Sequence, residues 1–206
     1  ELSMRDLLRG FGLKIGLVTK GLLEARAREL AEGNSTLKAL VTSMLRGRAA
    51  LRAELIRIDK RLRDIARTDE VCRLMMSVPG VGPLVALKLK AGIDDPGRFS
   101  SSEMVGPHFG LTPRRDQSGE RDVVGGISRA GDAVAGTALY HAATSMLYHS
   151  AKSSWLRAWG MRVAQRRGMK RAVVAVARRL GVVLHRMWAD STVFRFSLTD
   201  HPAKSV

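Results

Sequence analysis

A serine flanked by glycine, arginines and carboxylates is the arrangement in this chain best suited to covalent chemistry. The run Arg114-Arg115-Asp116-Gln117-Ser118-Gly119-Glu120-Arg121-Asp122 places three arginines and three carboxylates around one hydroxyl. Cations beside a serine neutralise a phosphate while the oxygen attacks it, and Gly119 leaves Ser118 accessible. The run has neither helical nor strand periodicity, so a polar loop is expected. Taken alone, a Ser-Gly pair is most often an ordinary turn. A second glycine-rich stretch, Gly125-Gly126-Ile127-Ser128-Arg129-Ala130-Gly131-Asp132, leads into a helix for which Asp132 is a natural N-cap.

The third constellation is Val78-Pro79-Gly80-Val81-Gly82-Pro83, with the small Ala86 four residues beyond Gly82. This is the signature of a helix-hairpin-helix spanning 69–91. Gly80 and Gly82 let the turn backbone approach a phosphate, and Pro83 occupies a first helical turn where its missing N–H costs nothing. The free N–H groups then face an anion. Lys88 and Lys90 add charge nearby. A tight helix turn without any ligand is the alternative. Further on, Trp155 and Trp159 share one helix face, and Arg162, Arg166, Arg167, Lys170 and Arg171 follow them. The five histidines (108, 141, 149, 185, 201) show no metal-ligand spacing, and His185 reads as a helix-face residue. No metal site is expected in this chain.

The elements that hold these groups are mostly helices. Leu37, Val41, Met44, Arg48, Leu51, Leu55, Ile58, Leu62 and Ile65 recur at alternating spacings of four and three. That is a coiled-coil-like seam over 37–65, interrupted by one polar residue that could fix register. It needs a partner, either residues 22–31 folding back or a second chain in a homodimer or higher oligomer. Asn34 or Ser35 can cap this helix. A short helix precedes the hairpin, another is expected from 99 to 107, and Leu139, Ala142, Ala143, Met146 and Leu147 give a buried helix. The last helix, from about 170 to 188, is apolar on most sides and largely buried. The fold class is mainly α: a helical, coiled-coil-like segment at 1–68, a helical domain at 69–196 and a tail at 197–206.

Charge singles out the partner. Thirty-five lysines and arginines against 19 acids leave +16 on 206 residues. Residues 1–68 carry 15 basic and 8 acidic side chains, residues 69–140 carry 8 and 9, and residues 141–206 carry 12 and 2. A nearly neutral, Gly- and Pro-rich centre therefore lies between two cationic helical arms. A foldable chain of this charge favours nucleic acid over any other polyanion. One cysteine, Cys72, excludes an intramolecular disulfide framework and a cysteine-cluster zinc site. No apolar run reaches the roughly 18 residues of a spanning helix. The expectation is a soluble, globular, basic protein of a reducing compartment, not associated with a membrane.

Five motifs in one order carry a family likeness. They are Val78-Pro79-Gly80-Val81-Gly82, Asp95-Pro96-Gly97-Arg98-Phe99, His108-Phe109-Gly110-Leu111-Thr112-Pro113-Arg114-Arg115, Gln117-Ser118-Gly119-Glu120 and Gly126-Ile127-Ser128-Arg129-Ala130-Gly131-Asp132. The likeness continues through Arg171-Ala172-Val173-Val174-Ala175-Val176-Ala177-Arg178 and Leu184-His185-Arg186-Met187-Trp188. In these the chain resembles the C-terminal half of insertion-sequence 110/116/902 family transposases. The resemblance implies a helical domain whose serine attacks a DNA phosphodiester and is held as a 5′-phosphoserine during strand exchange. It also implies a dimerising coiled segment, an N-terminal resolvase-like domain with four acidic ligands for Mg²⁺, and in some members a structured guide RNA. Carried onto this sequence, the nucleophile falls on Ser118, with Ser128 the second choice. Arg114, Arg115, Arg121 and Arg129 would contact phosphate, with Gly80, Gly82, Lys88, Lys90, Arg166, Arg167, Lys170 and Arg171 as further DNA contacts.

Two departures shape the expectations. The chain begins in mid-pattern at Glu1, and residues 1–36 are too short and helical for a resolvase-like domain. It therefore reads as a fragment with little or no activity alone, because the metal-binding half of the chemistry lies elsewhere. Gly136 also stands where the family usually carries an arginine, and reads as a weakened helix, a lost phosphate contact and a sign of degeneration. The competing reading is a non-catalytic helix-hairpin-helix module for DNA or RNA, dimerised through the seam.

Overall fold

A computed structural model describes residues 1–19, 21–118, 121–128 and 130–197, of which 115–118 and 121–124 are described by their backbone. The chain divides into two compact units, Glu1–Arg61 and Leu62–Val206. It is mainly α, with one two-stranded sheet among the described residues.

The first unit holds α1 (Leu2–Gly10), α2 (Leu23–Leu30) and most of α3 (Ser35–Thr68). The Asn34 side-chain oxygen accepts the Leu37 N–H at 2.9 Å, so Asn34 and not Ser35 starts α3. Met4, Leu8, Ile15, Leu23 and Ala27 form one buried cluster with Leu37, Val41 and Leu45. Residues 22–31 thus do fold back on the seam, joined by α1, but they cover only its first part. Arg48 is not an unpaired charge in the seam: its guanidinium reaches the Glu1 carboxylate at 2.8 Å. Beyond it the apolar stripe of α3 is exposed, from Leu51 to Ile65.

The second unit is a helical cluster in which α4 (Glu70–Met76), α6 (Val105–His108), α7 (Ala133–Tyr148) and α8 (Trp155–Arg167) all pack on α9 (Met169–Ala189). The remaining helix, α5 (Pro83–Ile93), packs on α4 and α7. Three of these helices start on side-chain caps. Asp69 accepts the Cys72 N–H, Asp132 accepts those of Val134 and Ala135, and Ser154 accepts that of Arg157. The core runs from Met75, Leu89 and Ile93 through Leu139 and Met146 to Val176, Leu180 and Leu184, all fully buried. Two aromatic arrangements close it off. Arg179 stacks over Trp155 and Trp159, 5.2 and 4.7 Å from the ring centroids. Phe99 packs edge-on against both His108 and His185. His185 itself is buried and bonds Ser102 Oγ at 2.9 Å and the Pro96 carbonyl at 3.0 Å. It ties α9 to the turns before α6.

Three local expectations change. The run after Thr112 is no irregular loop. It forms β1 (Pro113–Ser118) and β2 (Arg121–Ile127), an antiparallel pair with a register shift between Pro113 and Arg115. The run of charged residues carries no strand periodicity, and the pairing is visible only in the backbone. The single helix expected over 99–107 is one 3-10 turn, Ser102–Met104, followed by the short α6, and a separate 3-10 turn, Pro96–Arg98, precedes it. Gly136 is not a lost phosphate contact. It is buried, and a Cβ there would lie 2.6 Å from the Phe109 carbonyl oxygen, so the position has no room for arginine.

Candidate nucleic-acid interface

The turn between α4 and α5 is built from its glycines outward. Gly80 takes a φ of +87°, and a Cβ on it would meet the Ala142 carbonyl oxygen at 2.5 Å and the Met146 nitrogen at 2.9 Å. Its lack of a side chain therefore serves the contact between this turn and α7. Gly82 is different: it has an ordinary extended backbone and open space around the missing Cβ. It precedes Pro83 at the first turn of α5, with no side chain capping the helix. Of the two glycines, Gly82 is the one whose surroundings leave backbone open to a ligand. Ala86 is fully buried, as a close helix crossing requires.

The lysines of α5 divide in the same way. Lys88 is exposed, whereas Lys90 is ion-paired with Asp69, the cap of α4. Partial burial pushes the Asp69 carboxyl up, but the hydrogen bonds from Lys90 and from the Cys72 N–H outweigh it and hold the group below the usual carboxylate range. Burial, and then the neighbouring Asp69, push the Cys72 thiol up to about 12. Cys72 is a neutral core residue, not a reactive one.

The β-hairpin organises the serine candidates. In its register Ser118 faces Arg121 at one end, while Pro113 faces Ile127 at the other. At that second end the Ser128 N–H donates to the Thr112 carbonyl at 2.8 Å, and the Arg114 guanidinium donates to the Ser128 carbonyl at 3.4 Å. Ser118 and Ser128 are thus separated by the length of β1, roughly 17 Å at about 3.3 Å per residue. They cannot serve the same phosphate. Arg115 lies between them, opposite Val124. Gly119, Glu120 and Arg129 lie outside the described residues.

A basic corner lies where α8 gives way to α9. Arg166 and Arg167 end α8, Gly168 makes the turn with a φ of +80°, and Lys170 and Arg171 occupy the first turn of α9. All four cations are exposed. Cations at a helix N-terminus oppose the helix dipole, an arrangement an anion relieves. Arg157 on α8 escaped the sequence reading. Its Nε is buried without a hydrogen-bond partner, and no spacing in the sequence separates it from its exposed neighbours. Among the described residues no three His, Cys, Asp or Glu side chains converge. No described helix is long and apolar enough to cross a membrane.

Comparison with known proteins points to one family. Residues 72–159, from α4 to the middle of α8, match the family model of the IS116/IS110/IS902 transposases. The chain is 32% identical over 205 residues to the transposase for insertion sequence element IS1111A of Coxiella burnetii, covering 94% of this chain and 54% of that protein. The chain is thus similar to the IS116/IS110/IS902 transposases. A putative transposase of Sinorhizobium fredii is 29% identical, with coverages of 94% and 52%. A probable family 20 transposase of Pseudomonas aeruginosa is 27% identical, with coverages of 94% and 59%. The chain spans about half the length of these curated relatives. The family match takes in the α4–α5 turn and the whole β-hairpin, whereas the basic corner and α9 lie beyond it.

Proposed function

We propose that this chain is the DNA-binding and strand-transferring part of an insertion-sequence transposase, with Ser118 as its nucleophile. Its Oγ attacks the phosphorus of a DNA phosphodiester, the bond from phosphorus to the 3′ oxygen breaks, and the serine proton passes to that leaving oxygen. The product is a 5′-phosphoserine and a free 3′-hydroxyl. Attack by a different 3′-hydroxyl on the phosphoserine reverses the step and joins a new pair of strands. One phosphoester replaces another at each stage, so no external energy source is needed.

The observation that carries this reading is the hairpin register, which sets Ser118 across from Arg121 at the end of an arm within the family-matched region. A cation beside the attacking oxygen stabilises the charge that develops on the phosphate. Arg114 and Ser128 lie at the hairpin's base, so Ser128 suits a role in closing the arm. Gly82, Lys88 and the corner of Arg166, Arg167, Lys170 and Arg171 hold the DNA backbone. Gly80 and Lys90 support that surface from within, and the exposed part of α3 associates copies of the chain.

The test compares binding and joining on duplexes that carry the ends of the parent element. Affinity should fall linearly on a log–log plot as salt rises, because phosphate contacts release counterions. Ser118→Ala should bind with unchanged affinity and abolish strand joining, while Arg166→Ala with Arg167→Ala should weaken binding and flatten the salt slope by about two contacts. Joining that survives Ser118→Ala would overturn Ser118 as the nucleophile, and binding with no joining by the unsubstituted chain would leave the chain a binding module.

A further inference from the structure

The second half of α3 carries an apolar stripe that is exposed among the described residues. Leu51, Leu55, Ile58, Leu62 and Ile65 are 74, 66, 49, 39 and 46% exposed, in sequence with Leu37, Val41 and Leu45, which are buried. These five sit at alternating a and d positions of the heptad seam, so the residues that flank it can be assigned. Glu54 and Arg61 precede a positions, and Arg52 and Asp59 follow d positions. Such flanking residues set partner choice and orientation in coiled coils.

Their signs discriminate between arrangements of two copies. In a parallel, in-register pair each Glu54 would face the partner's Asp59, two like-charge contacts. In an antiparallel pair, a residues pack on d residues, and each flanking position meets its own kind across the seam. Aligning Leu55 on the partner's Ile58 also aligns Leu51 on the partner's Leu62. It then sets Glu54 against the partner's Arg61 and Arg52 against the partner's Asp59, each twice by symmetry. Sliding this pair by one heptad in one direction brings Glu54 onto the partner's Glu54 and Arg52 onto the partner's Arg52. Sliding the other way brings Arg61 onto the partner's Arg61 and Asp59 onto the partner's Asp59. One antiparallel register alone satisfies every flanking charge. Glu54 also reaches Arg57 of its own helix at 3.1 Å, an exposed pair that contributes little and that a partner arginine can share.

From this we infer that two copies of the chain associate through α3 as an antiparallel pair centred between Leu55 and Ile58. The inference rests on the self-association proposed above and adds its orientation and register.

Two single-cysteine variants test it: Leu51→Cys and Leu62→Cys, both at exposed positions, with the unsubstituted chain as control because Cys72 is buried. The antiparallel register predicts a disulfide between the two variants when they are mixed and oxidised, and none within either alone. Disulfides forming within each variant alone would overturn the orientation while keeping the dimer. No disulfide in any combination, with a monomer in sedimentation, would overturn the self-association as well. A charge series gives an independent reading. Glu54→Arg should weaken the dimer, and adding Arg61→Glu should restore it. A dimer strengthened by Glu54→Arg alone would contradict the antiparallel pairing, because that change relieves repulsion only in a parallel one.

Discussion

The two glycine-bearing turns of the second unit solve opposite problems. Between α4 and α5, Gly80 is pressed against the α7 backbone, and the turn is part of the packed core. Between β1 and β2 the chain forms a paired arm, whose base is polar and partly open: Arg114, Gly125 and Gly126 are exposed, and Ile127 and Ser128 half-buried. In the first turn a glycine is demanded by what lies inside the molecule. In the second, backbone pairing sets the shape. A helical frame built on close backbone contacts can carry a chemically loaded arm without sharing its constraints. Residues of the frame should therefore fail by unfolding, and residues of the arm by losing activity while folded.

Gly80→Val should give the largest loss of stability, about 3 kcal/mol or more, since it combines a positive φ with a collision against main chain that cannot move aside. Gly136→Arg should follow, forcing α7 away from the Phe109 carbonyl, and thermal denaturation of both variants against the parent would measure the order. Asp69→Ala removes a helix cap and the partner of Lys90, and should cost roughly 1–2 kcal/mol at neutral pH. Because the Asp69 carboxyl is held below its ordinary value near 3.8, its contribution is present above that value. It is lost as pH falls through the lowered one. Denaturant melts of parent and variant should therefore converge in strong acid. Cys72 should resist thiol reagents at pH 8 in the native state and react at the ordinary rate once unfolded, following its burial and a pKa of about 12. Gly82→Ala and Ser118→Ala should be smallest in stability, each within about 1 kcal/mol, with Gly82→Ala weakening DNA binding and Ser118→Ala leaving it intact. Unfolding by Ser118→Ala would erase the contrast between frame and arm.

Much of the frame was legible because its signals are local. Asp132 sits where a cap belongs, and the apolar periodicity of α7 and α9 marks faces that are in fact buried. What escaped depends on contacts distant in sequence. The periodicity of α3 is continuous through Arg48, so nothing in it shows that the cover of α1 and α2 ends there. Gly136 read as a defect because its reason, the Phe109 carbonyl, lies 27 positions away. The β-hairpin reads as a loop because its charged residues carry no strand periodicity. Ser118 and Ser128 were legible as candidates, with Ser118 first by resemblance, and the hairpin register adds that they lie at opposite ends of the pair.

The central claim is that Ser118 becomes covalently attached to DNA. End-labelled nicked and intact duplexes bearing the element's ends, incubated in Mg²⁺ buffer with the chain, alone and with a family resolvase-like N-terminal domain supplied in trans, and then denatured, report this directly when Ser118→Ala and Ser128→Ala are run alongside. Label that stays with protein in the parent and in Ser128→Ala, and is lost in Ser118→Ala alone, is the predicted result. Tight, salt-sensitive binding with no protein-linked label in any sample, or label that persists in Ser118→Ala, would contradict it.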